Sequence, residues 1–246
     1  IRFINPASPM LLSDKGAPSL GILYLAEICR QADMEVSCLD MTGNDYYARV
    51  FGRKVDEFSV IDAISSIPNF GEADIFAITA TSAQYHEAIN ILHFLNTLYP
   101  DSKVIIGGSH ISALPMQASK DGFDLVVAGE ADLHIVDMIQ QFNRFTKGEI
   151  WNCIAPRKLD EIPFPARDLI DLRSYCANLT VGEGLSTTIH CSRGCPFSCS
   201  YCVRSLGDAA KLLRVRSVDN IALELEHLQD KYGINRFVAT DDIFGI

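Results

Sequence analysis

The sequence predicts an α/β protein: a doubly wound domain of five parallel strands, followed by the first units of a second strand-and-helix array. Three observations carry this. Short apolar runs alternate with amphipathic stretches from the N-terminus to about residue 145, the pattern of a parallel sheet covered by helices on both faces. Four of the five runs end in glycine, proline, asparagine or hydroxyl residues, as strand ends that approach a ligand do. After a stretch rich in proline and charge, strand, helix and strand resume from Leu185 to the end of the chain.

Arg2 to Asn5 reads as the first strand, Ser19 to Gln31 as a helix, Glu35 to Asp40 as the second strand, and Asp74 to Thr79 as the third. Ala83 to Tyr99 is a helix closed by Pro100. Lys103 to Ile106 is the fourth strand, Asp124 to Ala128 the fifth and Glu130 to Phe142 the last helix of this domain. In a doubly wound sheet, ligands bind beyond the carboxyl ends of the strands, where the strand order reverses. Those ends carry Asn5-Pro6-Ala7-Ser8-Pro9, Thr79-Ala80-Thr81-Ser82, Gly107-Gly108-Ser109-His110 and Gly129-Glu130. The expected division is a Rossmann-like domain over 1–145, a linker over 146–183 and a second domain from 184 to 246. Ile162, Phe164, Leu169, Ile170 and Leu172 make the linker too apolar for a disordered segment, so it is expected to be an ordered strap. Beyond it, Ser217 to Tyr232 is a helix capped by Ser217 and ended by Gly233, with Ile221, Leu223, Leu225 and Leu228 near its buried side. Arg236 to Asp242 is a strand ending in two carboxylates.

Composition narrows the function. A net charge of −10 provides no basic face for nonspecific nucleic-acid binding, and no apolar run is long enough to span a membrane. No secretory signal is visible, and Cys29, Cys38, Cys153 and Cys176 follow no disulfide framework. A reducing, cytoplasmic setting is therefore expected.

The chemistry concentrates in Cys191-Ser-Arg-Gly-Cys195-Pro-Phe-Ser-Cys199-Ser-Tyr-Cys202. The last three cysteines are spaced C-x3-C-x2-C, so one loop can present three thiolates to a four-iron cluster and leave the fourth iron open. Gly194 and Pro196 suit the turn, and Arg193 is placed to offset an anionic cluster. Zinc is the competing metal, but structural zinc sites draw on two separated cysteine pairs and no second pair follows. Cys191, at the end of the Leu185 to Cys191 strand, is expected to remain a free, partly buried thiol. Were it a fourth ligand, the closed cluster would suit an electron carrier.

This spacing, with Tyr201 before the last cysteine, resembles the radical S-adenosylmethionine (SAM) superfamily. Further upstream, Pro18-Ser-Leu-Gly-Ile-Leu-Tyr-Leu-Ala26, Ile106-Gly-Gly-Ser-His110 with Leu114-Pro115, and Gly129-Glu130 resemble the cobalamin-binding domain that precedes many radical SAM enzymes. Glu161-Ile-Pro-Phe-Pro-Ala-Arg-Asp168 resembles the linker segment of the same family. Asp132 stands where many relatives carry a second glutamate.

The resemblance implies a metal site of Cys195, Cys199 and Cys202 around a 4Fe-4S cluster, with SAM near Tyr201, Asp241 and Asp242. It implies cobalamin against Asn5, Pro6, Leu20, Gly21, Thr81, Ser82, Gly107, Gly108, His110, Gly129 and Glu130. The Asp-x-His-x-x-Gly motif that ligates cobalt in other cobalamin proteins is absent, so the dimethylbenzimidazole tail is expected to be detached with no histidine on cobalt; His86 reads as a surface residue. Leu185 to Ile246 would be the start of a partial (β/α) TIM-type barrel, two units of roughly six at about 30 residues each. The chain is thus expected to be a piece of a longer enzyme, inactive alone. The implied activity is a methyltransferase in which methylcobalamin supplies the methyl and a 5′-deoxyadenosyl radical activates an unreactive carbon. Expected partners are a small-molecule or peptide substrate and an external flavodoxin- or ferredoxin-type electron donor. Radical cyclisation, rearrangement, methylation through cobalamin without the radical, methylthio transfer, or a corrinoid-binding or iron-sulfur carrier module are the alternatives. The three extra N-terminal cysteines of methylthiotransferases are not supplied by Cys29 and Cys38.

Overall fold

The computed structural model describes residues 1–8, 16–42, 71–175, 185–202 and 212–245. The expectations for Pro9, Cys176 and the end of the linker lie outside them.

Six strands form the main sheet: β1 (Arg2–Asn5), β2 (Ser37–Asp40), β3 (Ile75–Thr79), β4 (Lys103–Gly107), β5 (Leu125–Ala128) and β6 (Glu149–Asn152), in the order β2-β1-β3-β4-β5-β6. Every neighbouring pair is parallel. Alternate residues point to opposite faces, and both faces are covered. Ile4, Phe76, Ile78, Val104, Ile106 and Val126 face helix α2 (Tyr85–Leu98) and the short helices α3 (Ser109–Ala113) and α4 (Pro115–Lys120). Phe3, Ile75, Ala77, Ile105, Leu125 and Val127 face α1 (Leu20–Gln31) and α5 (Ile135–Gln140). Apolar residues on both faces are what burial of a parallel sheet between two helical layers requires.

Two elements differ from expectation. The sheet has a sixth strand, Glu149–Asn152, which carries it past residue 145. It is a four-residue edge strand with two exposed ends, so it has almost no apolar signal and is recruited by pairing with β5. The helix expected from Glu130 to Phe142 begins only at Ile135, because residues 130–134 form a turn that commits Glu130 and Asp132 elsewhere.

The second unit is built on β7 (Ser186–Ile189) and β10 (Arg236–Ala239), which pair in parallel and are connected through α6 (Val218–Tyr232). Between them, β8 (Ser192–Arg193) and β9 (Arg214–Val215) form an antiparallel ribbon at the base of the cysteine loop. The Ser217 hydroxyl accepts from the Asn220 amide, and Gly233 ends α6 in the left-handed conformation. Leu228 is buried with Ile189, Leu172 and Ile234. Leu223, expected near the buried side, is exposed; Glu224 is buried in its place.

The described part of the strap is ordered. Leu159, Ile162 and Ala166 are buried, the latter two against α1, and the Ala166 amide donates to the Leu23 carbonyl at 3.0 Å. Arg167 then inserts its side chain into the second unit. It donates to the Thr187 hydroxyl, the Thr188 carbonyl and Glu224, while Arg216 meets the other carboxylate oxygen of Glu224. Both arginines and the glutamate are nearly inaccessible to water. In this triad one carboxylate is shared by two arginines, so the burial of both guanidiniums depends on Glu224.

Candidate functional site

A cavity of about 760 Å³ opens at the carboxyl ends of β3 to β6, where a doubly wound sheet places its ligands. Its floor is the glycine-rich edge, Gly107, Gly108 and Gly129, with Ser109, Ser112 and Asn152 as polar groups and Ile22, Leu25 and Ile135 as apolar walls. Glycine is required at two of these places. Gly108 has φ +109°, and a Cβ there would lie 2.7 Å from the Ala80 carbonyl oxygen; Gly129 has φ +95° with Cys153 carbonyl oxygen 3.0 Å from a Cβ. The opposite wall comes from the second unit: His190, Ser192, Arg193, Thr240 and Asp242. The carboxyl-end edges of both sheets therefore face one another across one space.

Of the residues expected at a cobalamin site, Gly21, Gly107, Gly108, Gly129 and Glu130 line the cavity. Asn5, Pro6, Leu20, Thr81, Ser82 and His110 do not, and each has a structural reason. Asn5 donates to Asp40 and Thr42 and accepts from Gln84, which also donates to the Pro6 carbonyl. Tyr175 from the strap donates to Asp40, so this polar cluster fills the ends of β1 and β2. Leu20 is in the core. Thr81 is turned to the Gln84 side-chain oxygen, and Ser82 bonds the His110 Nδ1 at 3.0 Å. The His110 ring is buried against Tyr85, centroids 4.1 Å apart, and burial lowers its pKa. His86 is exposed on α2.

Among the described residues, the histidine on the cavity wall is His190, which no sequence motif marks. It directly follows β7, its ring lies 6.1 Å from that of Tyr24, and its Nδ1 is buried without a hydrogen-bond partner. Burial, followed by the nearby Arg193 charge, lowers its pKa to about 4, so a neutral imidazole faces the cavity at pH 7.

The two strand-end carboxylates separate in role. Asp241 accepts from the Cys191 amide at 2.7 Å and the Ser192 hydroxyl at 2.8 Å, which ties the start of the cysteine loop to the end of β10. Asp242 accepts from the Gly194 amide at 3.2 Å and lines the cavity. Tyr201 is nine-tenths exposed. Cys195 and Cys202 are half-buried and Cys199 is exposed, whereas the Cys191 thiol packs against Leu172 and Ile189, where burial raises its pKa. Among the described residues, no three Cys, His, Asp or Glu side chains converge closely enough to hold a metal ion. The loop thus carries donors of the right chemistry without drawing them to one centre.

Arg193 does not face the thiols. Its guanidinium bonds Glu130 at 3.1 Å and Asp132 at 3.0 Å and lies 4.9 Å above the Tyr24 ring. Arg214 forks onto the same Glu130 at 2.6 and 3.0 Å. Burial raises the Glu130 pKa, but the bonds and charges of the two arginines outweigh it and hold the carboxyl below its usual range.

A glycine-edged cavity over a doubly wound parallel sheet defines a nucleotide- or corrinoid-type binding domain. Residues 14–138, just over half of the chain, match the B12 binding domain family, and the chain belongs to that family. It is 28% identical to an uncharacterized methyltransferase, PH0819, of Pyrococcus horikoshii, over 92% of this chain and 49% of the relative. It is 24% identical to cytidylyl-2-hydroxyethylphosphonate methyltransferase of Streptomyces wedmorensis, over 98% of this chain and 54% of the relative. Among solved structures it resembles TsrM from Kitasatospora setae, a radical SAM methyltransferase with cobalamin and a 4Fe-4S cluster bound: TM-score 0.63, 15% identity, 99% of this chain and 47% of that one. The chain spans about half the length of these relatives. The resemblance to cobalamin-binding-domain-containing radical SAM enzymes stands, and no helix among the described residues is long and apolar enough to cross a membrane.

Proposed function

We propose that this protein is a cobalamin-dependent radical SAM methyltransferase. The observation that carries the proposal is the shared cavity, whose two walls are the carboxyl-end edge of a B12-binding domain and the strand ends that bracket a C-x3-C-x2-C loop. When bound, cobalamin would supply a methyl group, and a reduced cluster with SAM would supply the means to activate an unreactive carbon. Gly21, Gly107, Gly108 and Gly129 give a flat macrocycle access to backbone. Ser109, Ser112 and Asn152 are hydroxyl and amide groups suited to its amide fringe. Cys195, Cys199 and Cys202 are the donors for the cluster, while Cys191 is half-buried and packs against the Leu172 and Ile189 cluster. Asp242, on the cavity wall beside the Gly194 amide, is better placed than Asp241 to meet the ammonium of SAM. The apolar walls and the neutral His190 favour exclusion of bulk water, and reacting groups held in one space gain the proximity that two-cofactor chemistry needs.

The test is anaerobic reconstitution of the full-length protein with iron, sulfide and cobalamin, then reduction and addition of SAM. Formation of methylcobalamin with release of 5′-deoxyadenosine in the presence of substrate supports the proposal. Deoxyadenosine without methyl transfer would indicate cyclisation or rearrangement. Absence of a SAM-dependent change in the cluster's electron paramagnetic resonance spectrum would reject the radical reading.

A further inference from the structure

We infer that Glu130 and Asp132 are positioning residues that fix the base of the cysteine loop against the corrinoid domain, and that Glu130 is not a contact to the corrin. The inference rests on the functional reading above. The three-cysteine run begins directly after β8, and each strand of the β8–β9 ribbon carries one arginine, Arg193 pairing with Arg214 in register. Both arginines grip Glu130, the second through a bidentate fork, the geometry in which an arginine–carboxylate pair is strongest and most directional. Asp132 accepts from Arg193 through both oxygens at 3.0 Å, and Arg214 also donates to the Pro156 carbonyl of the strap.

The other end of the pin is equally constrained. Glu130 follows Gly129, whose positive φ and close approach to Cys153 fix its backbone and whose amide donates to Ser112. A continuous path then runs from β5 through Gly129 and Glu130 to Arg193, two residues before Cys195. Two positive and two negative charges balance within the cluster. Both arginines are committed to these carboxylates, and Glu130 carries three arginine hydrogen bonds, two on one oxygen and one on the other, so its charge is already matched before any ligand enters.

The experiment uses the full-length protein and the variants E130Q and D132N, loaded with iron, sulfide and cobalamin. We expect both to retain wild-type iron and cobalamin. Hydrogen exchange at the amides of Arg193 and Arg216 should accelerate about tenfold or more, as loss of a charge-assisted bond implies. The magnetic interaction between cob(II)alamin and the reduced cluster should weaken or broaden, which a generally loosened fold with both cofactors bound would not selectively produce. Loss of cobalamin with unchanged exchange would overturn the inference by making Glu130 a corrin contact. Unchanged exchange together with an unchanged interaction would overturn it by showing no pin. If the wild-type protein takes up neither cofactor, the functional reading fails, while the exchange measurement still decides for or against the pin. Should E130Q not fold, D132N carries both readouts, since Asp132 holds Arg193 alone.

Discussion

Replacing Glu224 with alanine should be among the most destabilising single changes in the second unit. The carboxylate is 1% exposed and accepts from Arg167 at 2.9 Å on one oxygen and from Arg216 on the other. Removing it leaves two guanidiniums with 2% and 7% exposure facing each other without a counter-charge. Breaking a buried ion pair by deleting one partner costs about 3–5 kcal/mol, far more than the pair's net worth against an apolar replacement. The same deletion frees the strap, because Arg167 is its anchor into β7 and α6. Urea unfolding followed by far-ultraviolet circular dichroism measures the loss, with L223A as the control one position away. Leu223 is 57% exposed, so its truncation should stay within about 0.5 kcal/mol. The triple variant R167M/E224L/R216M should recover most of the stability lost in E224A. A loss below about 1 kcal/mol in E224A would refute the reasoning, since it would mean that water reaches the triad.

G108A should destabilise by about 1–3 kcal/mol, because its Cβ meets Ala80 backbone atoms at a positive φ, whereas G21A, with open space around it inside α1, should be neutral or stabilising by about 0.5–1 kcal/mol; thermal melts separate the two. His190 is protonated more readily unfolded than folded, so its contribution is full above about pH 6.5 and is lost as pH falls toward 4. Unfolding free energy of wild type against H190Q across that window should show the difference, and parallel curves would remove His190 as the cause. C191A should keep its iron after reconstitution while C195A, C199A and C202A each lose it; iron loss in C191A would close the cluster and favour an electron carrier. Cob(II)alamin bound to the full-length protein should show no histidine-nitrogen hyperfine coupling. Coupling abolished by changing His190, the histidine on the cavity wall, would assign that residue to cobalt.

The sequence by itself determined the parallel sheet and its ligand edge. Apolar runs such as Ile75 to Ile78 and Val104 to Ile106 have to be buried on both faces, and Gly108 and Gly129 sit where a side chain would be crowded at a positive φ. It also marked the cysteine loop, since ligand spacing is local. A partial signal lay on α6, where Ile221, Glu224, Leu225 and Leu228 follow one stripe. A carboxylate on an apolar stripe implies buried cations, but nothing in the spacing names Arg167, 57 residues away. Only the tertiary structure decided which strand ends line the cavity. The ends of β1 and β2 are equally polar in sequence, yet Tyr175 returns from the strap and fills them through Asp40 and Thr42. It likewise turned Arg193 from the thiols to Glu130 and brought His190 into the cavity. Long-range pairing of charges depends on the path of the chain, and no periodicity along that chain records it.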